Sequence, residues 1–367
     1  MTDTKQRADA TTDPPVNTPT LATPVRRRNV LLITDDQVHN TPDGPTARLA
    51  STRLRLLVAL KALNAHGHQA ALVANTTPEH IEGSQNFIDA DHIVIGKVFQ
   101  NYRGLADRAR RLGKSVTLDV TDDLARYQAL APMHALTEHV HAFTASSEGL
   151  AALARSWSKT GAPAYRIDDP LDESLRPVGG DLRRRPLRLI WFGSPTNARY
   201  LNPQVPGLLK LAGQFPLELS LVSTGAHLFE GLVERYRDGH AGLTVRYTEW
   251  SPDSQRRGLE HADLVILPGD LDADSALKSA NRLITAIAAG RFCVASPLPA
   301  YRTLADYALL VDDLAAGIEA ATQIPSASID AAIRSGQTFI AETYSPALIG
   351  EQWVDVLARI SDSAPRP

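Results

Sequence analysis

The sequence predicts an α/β protein of two domains, each built on a parallel sheet. Three observations carry this expectation. Apolar strands alternate with amphipathic helices along most of the chain. The pattern restarts near residue 187 after a stretch rich in Pro, Gly and Arg. A length of 367 residues is comfortable for two domains of ordinary size.

The first half opens with a buried strand at Asn29–Thr34, followed by a polar loop from Asp35 to Pro45. A helix is expected from about Ala50 to His66, because Leu54, Leu57, Val58, Leu60 and Leu63 share one face at a 3.6-residue period. Gly67 stops it. Strands follow at Gln69–Ala74, His92–Gly96 and Ser115–Val120, with a helix over Gly104–Leu112. A last α/β unit takes the strand Ala142–Ala145, the helix Ser147–Trp157 and the strand Ala164–Ile167. Parallel strands joined by right-handed helical crossovers give a Rossmann-like sheet.

The second half repeats this grammar. A strand at Leu187–Phe192 runs into the turn Gly193-Ser194-Pro195 and a helix near Val205–Ala212. Strands are expected at Leu217–Val222, Thr244–Tyr247, Leu264–Leu267 and Ala308–Leu310, with a helix over Pro252–Ala262. Between the halves, Asp168 to Pro186 carries Pro170, Pro177 and the pair Gly179-Gly180, which fits a hinge. At the end, Ser345 suits an N-cap and Pro346 the first helical position; Trp353, Val356, Leu357 and Ile360 line one helix face. The expected organisation is a leader (1–27), an N-terminal domain (28–170), a linker (171–186), a C-terminal domain (187–344), a terminal helix (345–361) and a tail (362–367).

Composition narrows the function classes. The net charge of −3 gives nucleic-acid binding no electrostatic footing. The single cysteine, Cys293, rules out an intrachain disulfide, makes a reducing, cytoplasmic compartment the default, and reads as a small core residue. No run approaches the roughly 20 apolar residues of a membrane span. The leader lacks a signal-peptide core. Its closing cluster Arg26-Arg27-Arg28 is either a solvated flank or a peripheral contact with anionic lipid at the inner face of a membrane.

The segment from Lys278 to Tyr301 carries the most chemistry. It reads as a loop, an amphipathic helix, a Gly290 stop, a short buried strand and a Pro-rich turn. Lys278 and Asn281 stand where the helix begins, and unpaired N–H groups at a helix start attract anions. A cation and an amide added there suit a diphosphate.

Four stretches, in order, resemble one bacterial branch of the family-four-like GT-B glycosyltransferases (glycosyl transferases group 1). They are Ser51-Thr-Arg-Leu-Arg55, Leu118-Asp-Val-Thr-Asp-Asp123, Trp191-Phe-Gly-Ser194, and Lys278-Ser-Ala-Asn-Arg-Leu-Ile284 with Gly290-Arg-Phe-Cys-Val-Ala295 and Pro297-Leu-Pro-Ala-Tyr301 after it. The resemblance implies two Rossmann-like domains facing across a cleft, with the last helix crossing back to the first domain. It implies transfer of a hexosyl group from a nucleotide-diphosphate sugar to an acceptor hydroxyl, with retention and without a metal or other cofactor, in bacterial glycan or glycoconjugate biosynthesis. The acceptor class stays open between a glycan, a lipid-linked molecule and a small molecule. One departure is plain. The family's paired glutamates, the later of which binds the donor ribose hydroxyls, fall on Leu277 and Thr285 here. This keeps a non-catalytic subunit binding a nucleotide sugar or a partner in view, beside a sugar-nucleotide epimerase on the same fold.

On the donor side the candidates are Lys278, Ser279, Asn281, Arg282 and Thr285, the turn residues Gly193 and Ser194 with Asn197 and Arg199, the strand-end Ser223 and Thr224, and Glu249-Trp250-Ser251. Asn281 is a phosphate contact or a local cap. Arg282 is a second phosphate contact or a solvated helix residue. Trp250 is a stacking face for a base or a packing residue. On the acceptor side stand Asp35, Asp36, Arg53 and Asp119, at or beside the carboxyl ends of parallel strands. Asp122, then Asp123, are the catalytic candidates beside Lys278: each is a general base or acceptor-positioning group, or else a cap of the segment Leu124–Tyr127. Asp272-Ala-Asp274 reads as an acidic loop, and His134, His139 and His141 lack metal-ligand spacing.

Overall fold

The computed structural model describes residues 27–42, 44–270 and 275–363. Most of the expected leader, the Asp272-Ala-Asp274 loop and the end of the tail lie outside the described residues. The strands are β1 (Asn29–Thr34), β2 (Val38–Thr41), β3 (Gly44–Ala47), β4 (Gln69–Ala74), β5 (His92–Ile95), β6 (Ser115–Val120), β7 (Ala142–Ala145) and β8 (Ala164–Arg166) in the first half. The second half holds β9 (Leu187–Phe192), β10 (Leu217–Ser223), β11 (Leu243–Glu249), β12 (Leu264–Leu267), β13 (Cys293–Ala295) and β14 (Leu309–Leu310).

They form two six-stranded parallel sheets. The first runs β4-β1-β5-β6-β7-β8 and the second β11-β10-β9-β12-β13-β14. Chain order reverses at the β1/β5 boundary and again at β9/β12. Crevices at such points, outside the carboxyl ends of the strands, are where open α/β sheets bind ligands. Helices cover both faces, so central strands are apolar on both sides: all four residues of β5 and of β12 are buried.

The terminal helix, Pro346–Ser363, packs on the N-terminal domain as expected. Trp353, Ile349 and Ile360 join Val30, Leu32, Leu56 and Ala59 in one core, under the helix Leu57–Ala65. Ser345 accepts from Leu348 N at 3.3 Å, the cap read from the sequence.

Three departures from expectation are physical. The first long helix begins as a π-helical turn over Thr52–Leu56 before becoming α-helical at Leu57. Part of the expected polar loop pairs instead as the β2/β3 ribbon, whose short strands mix polar and small residues and bury only Ala47. The linker is not slack. Arg176 N donates to Ala288 O at 2.7 Å and Gly179 N to Gly290 O at 3.0 Å. At Gly180 (φ +96°) a Cβ would sit 2.4 Å from Asp263 O, so the glycine permits close approach to the C-terminal domain.

Candidate functional site

The carboxyl ends of the two sheets face each other across a cleft of about 580 Å³, a size suited to a small-molecule ligand. The N-terminal domain contributes Arg48, Arg53, Lys97, Phe99, Asp122, Tyr127, Ser146 and Asp169. The C-terminal domain contributes Gly193, Ser194, Asn197, Thr224, Trp250, Gln255, Lys278, Ser279, Asn281, Arg282 and Thr285. The lining holds five cations, Arg48, Arg53, Lys97, Lys278 and Arg282, against three carboxylates, Asp122, Asp169 and Asp172. All three carboxylates precede the second sheet, so the C-terminal wall carries cations without acids.

The helix Asn281–Ala288 starts at this wall. Its cap position is Ala280, which offers no side-chain acceptor, so the first N–H groups have no side-chain cap. Asn281 is therefore the first helical residue rather than the cap. Arg282 lies along Gly193: a Cβ there would stand 3.4 Å from Arg282 Cδ and Nη1 and 3.6 Å from Asn197 Nδ2. Gly193 takes φ +152°, a backbone conformation that a side chain would strain. Arg282 Nη1 is buried near the Tyr301 hydroxyl and has no well-aligned acceptor. A buried guanidinium N–H without a well-aligned acceptor is costly and suits an incoming anion. Thr285 Oγ1 donates back to Asn281 O at 2.8 Å.

Asp122 sits between two lysines. It pairs with Lys97 Nζ, and Lys278 Nζ approaches its other oxygen at 3.5 Å from across the domain boundary. Burial pushes the Asp122 carboxyl up, but Lys97 first and Lys278 second overcome this and hold it below the ordinary carboxylate value. So placed, it is a weak base.

Under the cleft floor, Arg55 is fully buried. Its Nε and Nη2 donate to Asp119 at 2.8–3.0 Å, and its Nη1 donates to Ile167 O at 2.6 Å and Asp169 Oδ1 at 3.3 Å. Thr144 Oγ1 also donates to Asp119, at 2.7 Å. Asp169 Oδ2 then accepts from Ser279 Oγ at 2.6 Å. The Thr-Arg-Leu-Arg and Leu-Asp-Val-Thr-Asp-Asp stretches thus meet in space as one buried ion pair.

The structure corrects several placements. Asp119 is 2% exposed and committed to Arg55, so it does not reach an acceptor. Asp35 accepts from Phe99 N, Gln100 N and the Tyr102 hydroxyl, clamping a loop. Asp36 accepts from Gln37 N and Leu49 N. Asp123 accepts from Ala125 N at 3.1 Å, the local capping alternative. Ser223 is buried and donates to Gly193 O, so it shapes the turn from behind. Glu249 accepts from the Tyr247 hydroxyl, and Ser251 caps the helix Pro252–His261; neither lines the cleft. Arg199 is exposed, lies over the Tyr200 ring, and is outside the lining.

The remaining candidates do meet at the cleft. Trp250 lines it with its indole N–H donating to Gln255 Oε1 at 2.8 Å. Arg53 lies over the indole, 5.8 Å from its centroid, and is fixed by Asp172 at 2.9 Å. Sequence reading missed Lys97 and Asp169. Lys97 lies two residues past β5 and Asp169 three past β8, and a place just beyond a parallel strand is the one signal that marks them. Among the described residues, no group of three or more His, Cys, Asp and Glu is arranged to hold a metal ion, and no helix is long and apolar enough to cross a membrane.

No family model and no curated protein sequence matches the chain. Solved structures do match over nearly its whole length. HepE of Anabaena, in complex with UDP and glucose, superposes with TM-score 0.63 at 12% identity, covering 90% of this chain and 100% of that one. The fold is GT-B. The α,α-trehalose 6-phosphate synthase of Burkholderia multivorans gives TM-score 0.60 at 10% identity over 92% and 98% of the two chains. AviGT4, a glycosyltransferase involved in avilamycin A biosynthesis, gives 0.53 at 14% over 92% and 99%. At these identities the likeness is one of architecture, and function must be argued from the cleft itself.

Proposed function

We propose that this chain is a glycosyltransferase that moves a hexosyl group from a nucleotide-diphosphate sugar to an acceptor hydroxyl, with retention and without a metal. The observation that carries the reading is the C-terminal wall of the cleft. There an uncapped helix start, Lys278 and the guanidinium of Arg282 line the cleft beside the Gly193 turn. Breaking the anomeric bond leaves negative charge on the departing diphosphate, and fixed donors and cations aimed at it lower the barrier. Lys278 and Arg282 hold this charge, and Trp250 offers a wall for the base.

Asp122 shapes the stereochemical part. A carboxylate saturated by two lysines is a poor proton acceptor, so a base-driven inverting attack has no obvious agent. In a retaining transfer the departing phosphate oxygen takes the acceptor proton on the same face. Asp122 then orients the acceptor through the groups around it. That HepE is seen with UDP and glucose on the same architecture supports the donor class.

The replacement of the family's paired glutamates by Leu277 and Thr285 favours a second reading, a non-catalytic nucleotide-sugar or partner-binding subunit. A panel of UDP-, GDP-, dTDP- and CDP-hexoses separates the two. A transferase releases nucleoside diphosphate by slow donor hydrolysis, and faster with acceptor. Binding without release from any donor leaves the non-catalytic reading standing.

A further inference from the structure

Lys278 belongs to the C-terminal domain, yet the short segment carrying it is held by the other domain. Three consecutive residues each meet a different N-terminal element. Leu277 packs its side chain against the N-terminal core, and its carbonyl accepts from Ser147 Oγ at 2.7 Å. Lys278 Nζ stands 3.5 Å from Asp122. Ser279 Oγ donates to Asp169 at 2.6 Å. Ser147, Asp122 and Asp169 lie just past the carboxyl ends of β7, β6 and β8, adjacent strands of the first sheet. The fit is close: a Cβ on Gly149 would stand 3.0 Å from Leu277 Cδ2 and 3.4 Å from Ala276 O.

We infer that Ser147 and Gly149 are positioning residues for the anion site: the N-terminal domain, through a clasp on residues 276–279, sets where Lys278 and the start of the helix Asn281–Ala288 stand. This deepens the proposed function and rests on it. Nucleoside diphosphate affinity is then a property of both domains, and it changes on substitution at residues that touch no ligand. The hydrophobic Leu277 is part of the clasp, which gives that position a role unrelated to ribose.

Ser147 allows the donor role to be separated from helix capping, because its hydroxyl also accepts from Leu150 N at 3.2 Å. Ser147→Asp keeps the cap and removes the donor to Leu277 O; Ser147→Thr keeps both. Gly149→Leu adds bulk where Leu277 packs. The measurement is calorimetric affinity for the tightest-binding nucleoside diphosphate among UDP, GDP, dTDP and CDP, and for the corresponding nucleoside, which has no phosphates. Expected in Ser147→Asp and Gly149→Leu is about a tenfold loss for the diphosphate, unchanged nucleoside affinity, and recovery in Ser147→Thr. Unchanged diphosphate affinity, or equal loss for both ligands, overturns the inference. Amide hydrogen exchange of residues 276–280 without ligand separates this from failure of the functional reading. If the wild type binds no nucleotide, faster exchange in Ser147→Asp with wild-type exchange in Ser147→Thr upholds the clasp, and equal exchange in all three overturns it.

Discussion

At the scale of single residues, the cleft distinguishes charges that are spent from charges that are available. Arg55 is committed to Asp119 and Asp169 beneath the floor. Removing Asp119 takes away the bidentate acceptor of the buried Arg55 Nε and Nη2 and leaves only Asp169 beside it, so Asp119→Ala should cost about 3–5 kcal/mol in chemical unfolding. Asp122, paired with Lys97 and Lys278, is committed at the cleft wall itself. With its carboxyl held below the ordinary value, it stays ionised in the folded state down to lower pH than in the unfolded chain. It therefore contributes stability above about pH 4, lost as the pH falls through its folded value. The pH profile of kcat/KM should then show no acid limb near pH 5–7 from this group. An acid limb there that disappears in Asp122→Asn would restore the general-base role. His92 gives a second titration. Its ring is fully buried between Thr117 Oγ1 and Ser361 Oγ, and burial lowers its pKa to about 3. Between about pH 6.5 and 3 the unfolded chain binds a proton that the native chain refuses, so stability falls with falling pH by at most about 1.4 kcal/mol per unit from this group. His92→Gln should flatten that slope in urea titrations.

At the scale of elements, what was legible in the sequence follows from burial. β1, β9 and β12 were bounded to the residue because nearly continuous apolar runs in a sheet covered on both faces leave few alternatives. The β2/β3 pair escaped because its pairing buries little and so leaves no hydrophobic period. The helix Ser326–Thr343 also went unread, although Ile329, Ile333 and Ile340 hold its buried face; Gly336 interrupts that apolar stripe where the helix meets Tyr307. The site was legible where chemistry sits at an element's end. Lys278, Asn281, Arg282, Gly193 and Trp250 were found this way. It was illegible where partner choice decides. Spacing alone does not reveal that Asp119 faces a buried arginine from another element, or that Asp122 and Asp123, adjacent in sequence, point to different partners. The terminal helix joins sequence ends to the first domain. Trp353 is fully buried there, its ring 5.3 Å from the Arg55 guanidinium carbon. Trp353→Ala should destabilise the fold by about 3–5 kcal/mol, with early loss of amide protection in the helix Leu57–Ala65.

At the scale of the whole molecule, two sheets whose carboxyl ends face one cleft place cations from both domains around one cavity, and the segment 276–279 ties the anion-binding wall to the opposite domain. Opposed domains of this kind exclude water when closed, which strengthens every charge interaction within. The most direct test of the central claim is calorimetric binding of UDP, GDP, dTDP and CDP to the wild type, Lys278→Ala and Arg282→Ala. Expected is binding of one nucleotide in the micromolar range, with affinity reduced at least about tenfold in each variant, as suits loss of a charge-assisted contact. A folded wild type that binds none of the four, or variants that bind as tightly as the wild type, would contradict a diphosphate site at this helix start.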